Sequence, residues 1–248
     1  NVTGTANIIR SSFYANQGSS GGAIWSASIL SVKDSTFSGN QSNNTGGAIQ
    51  ASSGSMTIIN ATISENSANK GGGIGMGNGT LKLVNALVSG NLLVGLNTQG
   101  SELYSAAGTI SENRNNLIGH SGVNIATAVA NFNITGVANI VATSNGAAPA
   151  ALTSILKPKQ ITASSVYYPL PDSSPAIDAA ATTFVVSFLP LEGCFVPKLF
   201  PAVSFFRDDQ LGNRRPEGTA CNIGAYEFQE TRFFTIPLEN GKTVIFGL

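Results

Sequence analysis

Charge is what this sequence has least of. Asp, Glu, Lys and Arg make up 10% of its 248 residues and their formal charges sum to zero, where about a quarter of residues is usual. There is no basic stripe to meet a phosphate backbone, so a nucleic-acid partner is not expected. Long apolar runs are missing too. The best stretch, 125–142, is interrupted by three Asn and a Gly, so no transmembrane helix is expected. The sequence does not open on a charged segment followed by an apolar one. If the protein is exported, its signal is already gone. There is one His, one Trp and two Cys. That leaves no Cys/His set for a zinc ion. No GxSxG, Walker or dinucleotide-binding pattern stands in a credible context either, so neither metal nor cofactor is expected. The cysteines, Cys194 and Cys221, leave two readings. An even count in a Gly-rich, charge-poor chain favours one disulfide; the other reading is two buried thiols.

What is abundant is small and polar: 28 Gly, with many Asn, Ser, Thr and Ala. The glycines are periodic. GGAI stands at 21–24 and again at 46–49, and GGGI follows at 71–74. A fixed period of this length is the mark of a repeat architecture. Ahead of each Gly pair lies an apolar residue followed three positions later by Asn: Phe13 and Asn16, Phe37 and Asn40, Ile63 and Asn66. A fourth copy, Val88 and Asn91, lacks the Gly pair. The stretches ANIIRSSF, ILSVKDSTF, MTIINATI and LKLVNALV alternate apolar and polar residues, which predicts half-buried strands. No segment carries a 3.6-residue period. Each unit therefore reads as strand, Asn turn, Gly-Gly, short strand and Gly/Ser turn.

Such units stack as the coils of an all-β, right-handed parallel β-helix. Coils rise by about 4.8 Å, so residues one period apart lie above one another. Asn16, Asn40, Asn66 and Asn91 are then expected to form an amide ladder. Gly21, Gly46 and Gly71, with Gly22, Gly47 and Gly72, fall at a corner that needs positive φ or close backbone approach. The expected organisation is coils over 1–178, a disulfide-closed cap over 179–231 and an apolar tail over 232–248.

The pairing of GGAI with F-x-x-N, as in Phe13-Tyr-Ala-Asn16 before Gly21-Gly-Ala-Ile24, resembles the repeats of polymorphic outer membrane proteins and related bacterial right-handed β-helix proteins. A second resemblance lies further on. Asn116-Leu-Ile-Gly119, Ser174-Pro-Ala-Ile-Asp178, Cys194, Asp209-Gln-x-Gly212 with Arg215-Pro216, and Cys221-x-Ile-Gly-Ala-x-Glu227 look like the choice-of-anchor Q region of secreted bacterial β-helix proteins. The stretch 179–206 and the last 20 residues stand outside that pattern. The resemblance implies a Cys194–Cys221 bridge and an exported, extracellular or cell-surface protein with structural or adhesive work. It supplies no reaction.

The remaining signals are local. Asp178, Asp209, Arg214 and Arg215 read as a salt-bridged clamp at the end of the solenoid. The tail carries Phe233, Phe234, Ile236, Val244 and Phe246 around Asn240-Gly241, a strong hairpin signal. So apolar a tail must dock on something. Together with a first coil that has no capping segment, it predicts a homo-oligomer or filament, with one copy's tail covering the next copy's open coil. Catalysis is not expected. Residues 1–91 hold only Asp34 and Glu65 as acids, and Arg10, Lys33, Lys70 and Lys82 as bases. Hydrolysis or elimination of a polysaccharide needs such groups gathered on one face. His120 reads as a turn residue. Binding or cleaving a surface glycan is the alternative, with Glu102, Glu112, Arg114 and His120 as groups that could converge. Trp25 and Tyr14, the aromatics that could stack on a sugar, read as core or ladder residues. Six N-x-S/T sequons, at Asn1, Asn40, Asn43, Asn60, Asn78 and Asn133, follow from composition alone.

Overall fold

The computed structural model describes residues 1–96, 100–122, 125–134, 136, 138–141, 150–180, 207–215, 220–228, 233–237 and 243–247. The chain is a parallel β-solenoid of about five turns. Each regular coil contributes one strand to each of four parallel sheets. The first sheet is built from Ala6–Ile9, Ile29–Lys33, Ser55–Ile59, Thr80–Val84 and Thr109–Arg114. The second runs from Ser12–Tyr14 through Thr36–Ser38, Thr62–Ser64, Leu87–Val88 and Leu117–Ile118 to Ile140–Val141. The third uses two-residue strands such as Gln41–Ser42 and Ser67–Ala68. The fourth stacks Ile24–Ser26, Ile49–Ala51, Ile74–Met76, Leu103–Ser105 and Val129–Ala130.

Register follows from what each coil buries. Ile24 pairs with Ile49, Ile49 with Ile74 and Ile74 with Leu103. Phe13, Phe37, Ile63, Val88 and Ile118 form a second inward column. Leu30, Met56 and Leu81 form a third. These columns meet in one apolar core along the axis. Phe13 and Phe37 stack with ring centroids 4.7 Å apart. A slip of one residue in any strand would turn its apolar set outward, so the columns hold the register. The Gly pairs act by two different means. Gly46 has φ +68°, a conformation that side chains rarely adopt. At Gly47 a Cβ would lie 2.0 Å from the Gly72 carbonyl oxygen, because neighbouring coils touch there through backbone alone.

The coil differs from the sequence reading at one corner. The alternating stretches ANIIRSSF, ILSVKDSTF and MTIINATI are each two strands, not one. Arg10, Asp34, Asn60, Asn85 and Asn115 take φ between 47° and 52° and turn the chain from the first sheet into the second. Alternation survives the bend, so the pattern hides it.

Beyond the coils, residues 150–180, 207–215 and 220–228 lie along the outer face of the second sheet. A second apolar cluster forms there, with Leu87 and Leu117 of the sheet against Ile155, Leu156, Tyr168, Leu170, Ala176, Cys221 and Ile223. Backbone bonds tie it down: Gly224 N–H donates to Asn85 O at 2.8 Å, and Ile223 N–H to Ala176 O at 2.8 Å. In the tail, Phe233–Pro237 and Thr243–Gly247 pair as an antiparallel hairpin. Only the backbone of these two strands is described, and Asn240 and Gly241 lie outside the described residues. No helix among the described residues is long and apolar enough to cross a membrane.

Candidate functional site

The interior ladder is continuous. The Oδ1 of Asn40 accepts the backbone N–H and Nδ2 of Asn16 at 3.0 and 2.8 Å. Asn66 accepts the same pair from Asn40 at 2.9 and 2.8 Å. Asn91 accepts it from Asn66 at 3.0 and 2.9 Å. Asn40, Asn66 and Asn91 are buried. The last rung is a carboxylate. Glu102, fully buried, accepts from Asn91 Nδ2 at 2.6 Å, from Asn91 N–H at 3.2 Å and from Gly90 N–H at 3.0 Å. Burial pushes its pKa up to about 8, against the pull of these donors. A second, shorter ladder escaped the sequence reading. Asn85 Nδ2 donates to Asn60 Oδ1 at 3.0 Å, and Asn60 Nδ2 donates to Asp34 Oδ1 at 2.9 Å. The repeated offsets of Asp34-Ser35, Asn60-Ala61 and Asn85-Ala86 were the available signal.

A concave feature lies at the far end of the first sheet. Its last strand, Thr109–Arg114, pairs with Thr80–Val84 through a register shift. Leu81 faces Ile110, but Lys82 faces Glu112. Ser111 is the extra residue of a bulge, and its hydroxyl donates to Leu81 O at 3.3 Å. Such a bulge re-aims the side chains after it. In regular pairing Glu112 would stand opposite Leu83 and point into the core. The bulge sets it beside Lys82, whose Nζ lies 2.6 Å from a Glu112 oxygen, and Arg114 Nε donates to the other oxygen. Burial opposes the charge on Glu112, but hydrogen bonds and charge from Arg114 and Lys82 outweigh it and lower its pKa.

Glu112 and Arg114 border a cleft of about 590 Å³ that also takes in Asn131, Phe132 and Asn133. Among the described residues the far edge of Thr109–Arg114 pairs with no other strand. Asn113 accepts from Asn116 Nδ2 and Asn139 Nδ2 at 2.9 Å each, while its own Nδ2 is buried without a partner. The cleft therefore offers amides, backbone edge groups and a charge-balanced ion cluster. Glu112 stays ionised near neutral pH, so the cluster suits hydrogen bonding better than proton transfer.

Of the four groups named for convergence, only Glu112 and Arg114 meet. Glu102 is locked in the ladder. His120 accepts Gly122 N–H on Nδ1 at 3.1 Å, and burial lowers its pKa, which keeps the ring neutral. Tyr14 belongs to neither core nor ladder: it is 42% exposed, and the Lys159 ammonium lies over its ring. Trp25 alternates outward between buried Ile24 and Ser26. Asn40 and Asn60 are fully buried, so two sequons have no surface to offer.

The C-terminal motif residues are anchors. Asp209, fully buried, accepts from Leu211, Asn213 and Glu227 N–H at 2.8, 2.8 and 2.9 Å. Arg215, also buried, donates to Asn222 O and Gly224 O and stands 3.4 Å from Glu227. Asp178 accepts Ala220 N–H at 3.1 Å. For Arg214 the backbone alone is described, paired with Asp208. Cys221 is fully buried and is not a free thiol; Cys194, the partner expected from the sequence, lies outside the described residues. They also hold no group of three His, Cys, Asp or Glu side chains suited to a metal ion. Comparison with known protein families, with curated proteins and with solved structures finds no match.

Proposed function

We propose that the chain is the rigid shaft of an exported surface protein, with structural or adhesive work and no catalysis. The observation that carries this reading is the ladder from Asn16 to Glu102, buried from Asn40 onward, which ties successive coils into one polar spine. Residues repeated on every coil build a wall, not a site, and a wall stiffens a rod. Low charge and the resemblance to polymorphic outer membrane protein repeats and to the choice-of-anchor Q region support an exported bacterial protein. A Cys194–Cys221 bridge belongs to this reading, as a staple for the segment on the flank. So does assembly of copies, with one copy's tail hairpin covering the open first coil of the next.

Negative-stain electron microscopy of the purified chain, whole and truncated after residue 231, tests the assembly. Filaments that vanish on truncation support it. Single particles in both samples overturn it. Turnover of any polysaccharide in a panel would overturn the non-catalytic part. The second reading, a polysaccharide-binding β-helix, is favoured by the amide-lined cleft beside Glu112 and Arg114.

A further inference from the structure

A second cavity lies where the flank segment meets the second sheet. Ser38, Ser64 and Ser89 form an outward column on that sheet. Ser38 pairs with Ser64 in register, and Ser89 follows Val88, the partner of Ile63. All three are buried, Ser64 to 1% exposure. Ser38 Oγ bonds the Tyr168 hydroxyl at 2.6 Å. Ser89 Oγ donates to Gly119 O at 2.9 Å. Ser64 Oγ, between them, has no partner. A buried hydroxyl is rarely left unpaired without a reason. This one borders a cavity of about 230 Å³.

The walls have two characters. Leu152, Leu156 and Pro158 supply an apolar side. Glu65 and Tyr168 join Ser64 on the polar side. The charges near the mouth are already balanced: Lys159 pairs with Glu65, and Lys157 lies 3.5 Å from Asp172. A charged guest would have to compete with these pairs. The volume falls below the roughly 300 Å³ at which pockets for drug-sized ligands begin. It is larger than one water needs, and its walls are too apolar to hold several. What fits is a small neutral ring with one C–H face and one hydroxyl edge.

We propose that this niche binds a single neutral hexose unit, such as the exposed end of a glycan. The C–H face of the ring lies against Leu152, Leu156 and Pro158. A ring hydroxyl completes the Ser64 Oγ, and a second reaches the Glu65 carboxylate at the niche wall. The site is distinct from the cleft at Glu112 and does not depend on the shaft reading.

Saturation-transfer NMR on the full chain, with the methyl glycosides of glucose, galactose and mannose as probes, tests it. At least one binds the wild type in the millimolar range. Leu152→Trp and Thr153→Trp fill the niche and weaken that binding at least tenfold. Ser64→Ala weakens it about fivefold by removing the hydroxyl partner. Thermal melts establish that each variant folds. Thr153 is exposed, so Thr153→Trp decides the matter if Leu152→Trp does not fold. Failure of all three glycosides to bind, or undiminished binding by Thr153→Trp, overturns the proposal. Binding of p-cresol in place of every sugar overturns the hexose assignment.

Discussion

Replacing Glu102 by Gln separates the cost of burying a carboxyl group from everything else that titrates in this chain. Glu102 is completely buried and its pKa stands at about 8, raised from 4.5 by desolvation. A raised folded-state value means that the folded chain holds the proton more tightly than the unfolded one. The stability this provides is complete below pH 4.5 and is lost as pH climbs through 8. Every tenfold gain in proton affinity is worth about 1.4 kcal/mol, so the interval carries a ceiling of about 5 kcal/mol, with a slope of one proton per molecule. The glutamine of the Glu102→Gln variant has no proton to titrate. Its carbonyl can keep the Asn91 Nδ2 contact, while its amide faces the N–H of Gly90 and loses that bond. The variant is therefore less stable than the wild type at pH 5, and the two converge or cross by pH 9. Urea unfolding midpoints of both proteins at half-unit steps from pH 4 to 9.5 measure the difference directly. The reasoning fails if the two profiles run parallel throughout, or if the wild type gains stability relative to the variant as pH rises.

Four further substitutions probe the coils and the flank. Gly47→Ala places a Cβ 2.0 Å from the Gly72 carbonyl oxygen and 2.6 Å from Ser67 and costs about 3 kcal/mol or more. Gly4→Ala, where nothing lies within 4 Å, leaves the melting temperature unchanged. Asn66→Ala strands the buried N–H of Asn40 at about 1–3 kcal/mol, while Asn40 Nδ2 keeps its bond to Phe13 O, and the change is read as a loss in chemical denaturation. Arg215→Met leaves Glu227 buried without its cation and costs about 3–5 kcal/mol. Limited proteolysis then cuts first in residues 207–228, while the coils stay intact.

The solenoid was legible because stacking puts like on like. Gly21, Gly46 and Gly71 repeat at a fixed step, and so do the inward Ile24, Ile49 and Ile74, so the period in the sequence is the period in space. The corner between the first two sheets was not legible. It is held by Arg10, Asp34, Asn60, Asn85 and Asn115 in turn, and only the last three share a residue type. The end of the interior ladder was hidden for a different reason. Glu102 follows Asn91 by 11 residues instead of a full coil, and it is an acid where an amide was the pattern. The cleft depends on one inserted residue, Ser111, whose effect is to exchange which neighbours face outward. The flank segment packs by non-repeating contacts such as Gln210 against Thr36 and Ser12, which leave no periodic trace.

Native-state hydrogen exchange, resolved by residue, addresses the central claim that the coils act as one stiff shaft. Nearest-neighbour solenoids open in steps unless something couples them along the axis. If the buried ladder does so, the amides of Asn16, Asn40, Asn66 and Asn91, with those of Ile49 and Ile74, exchange with one common opening free energy, and Asn66→Ala lowers it for all of them. Opening energies that grade from coil to coil, with Asn66→Ala felt only in its own turn, would contradict the account.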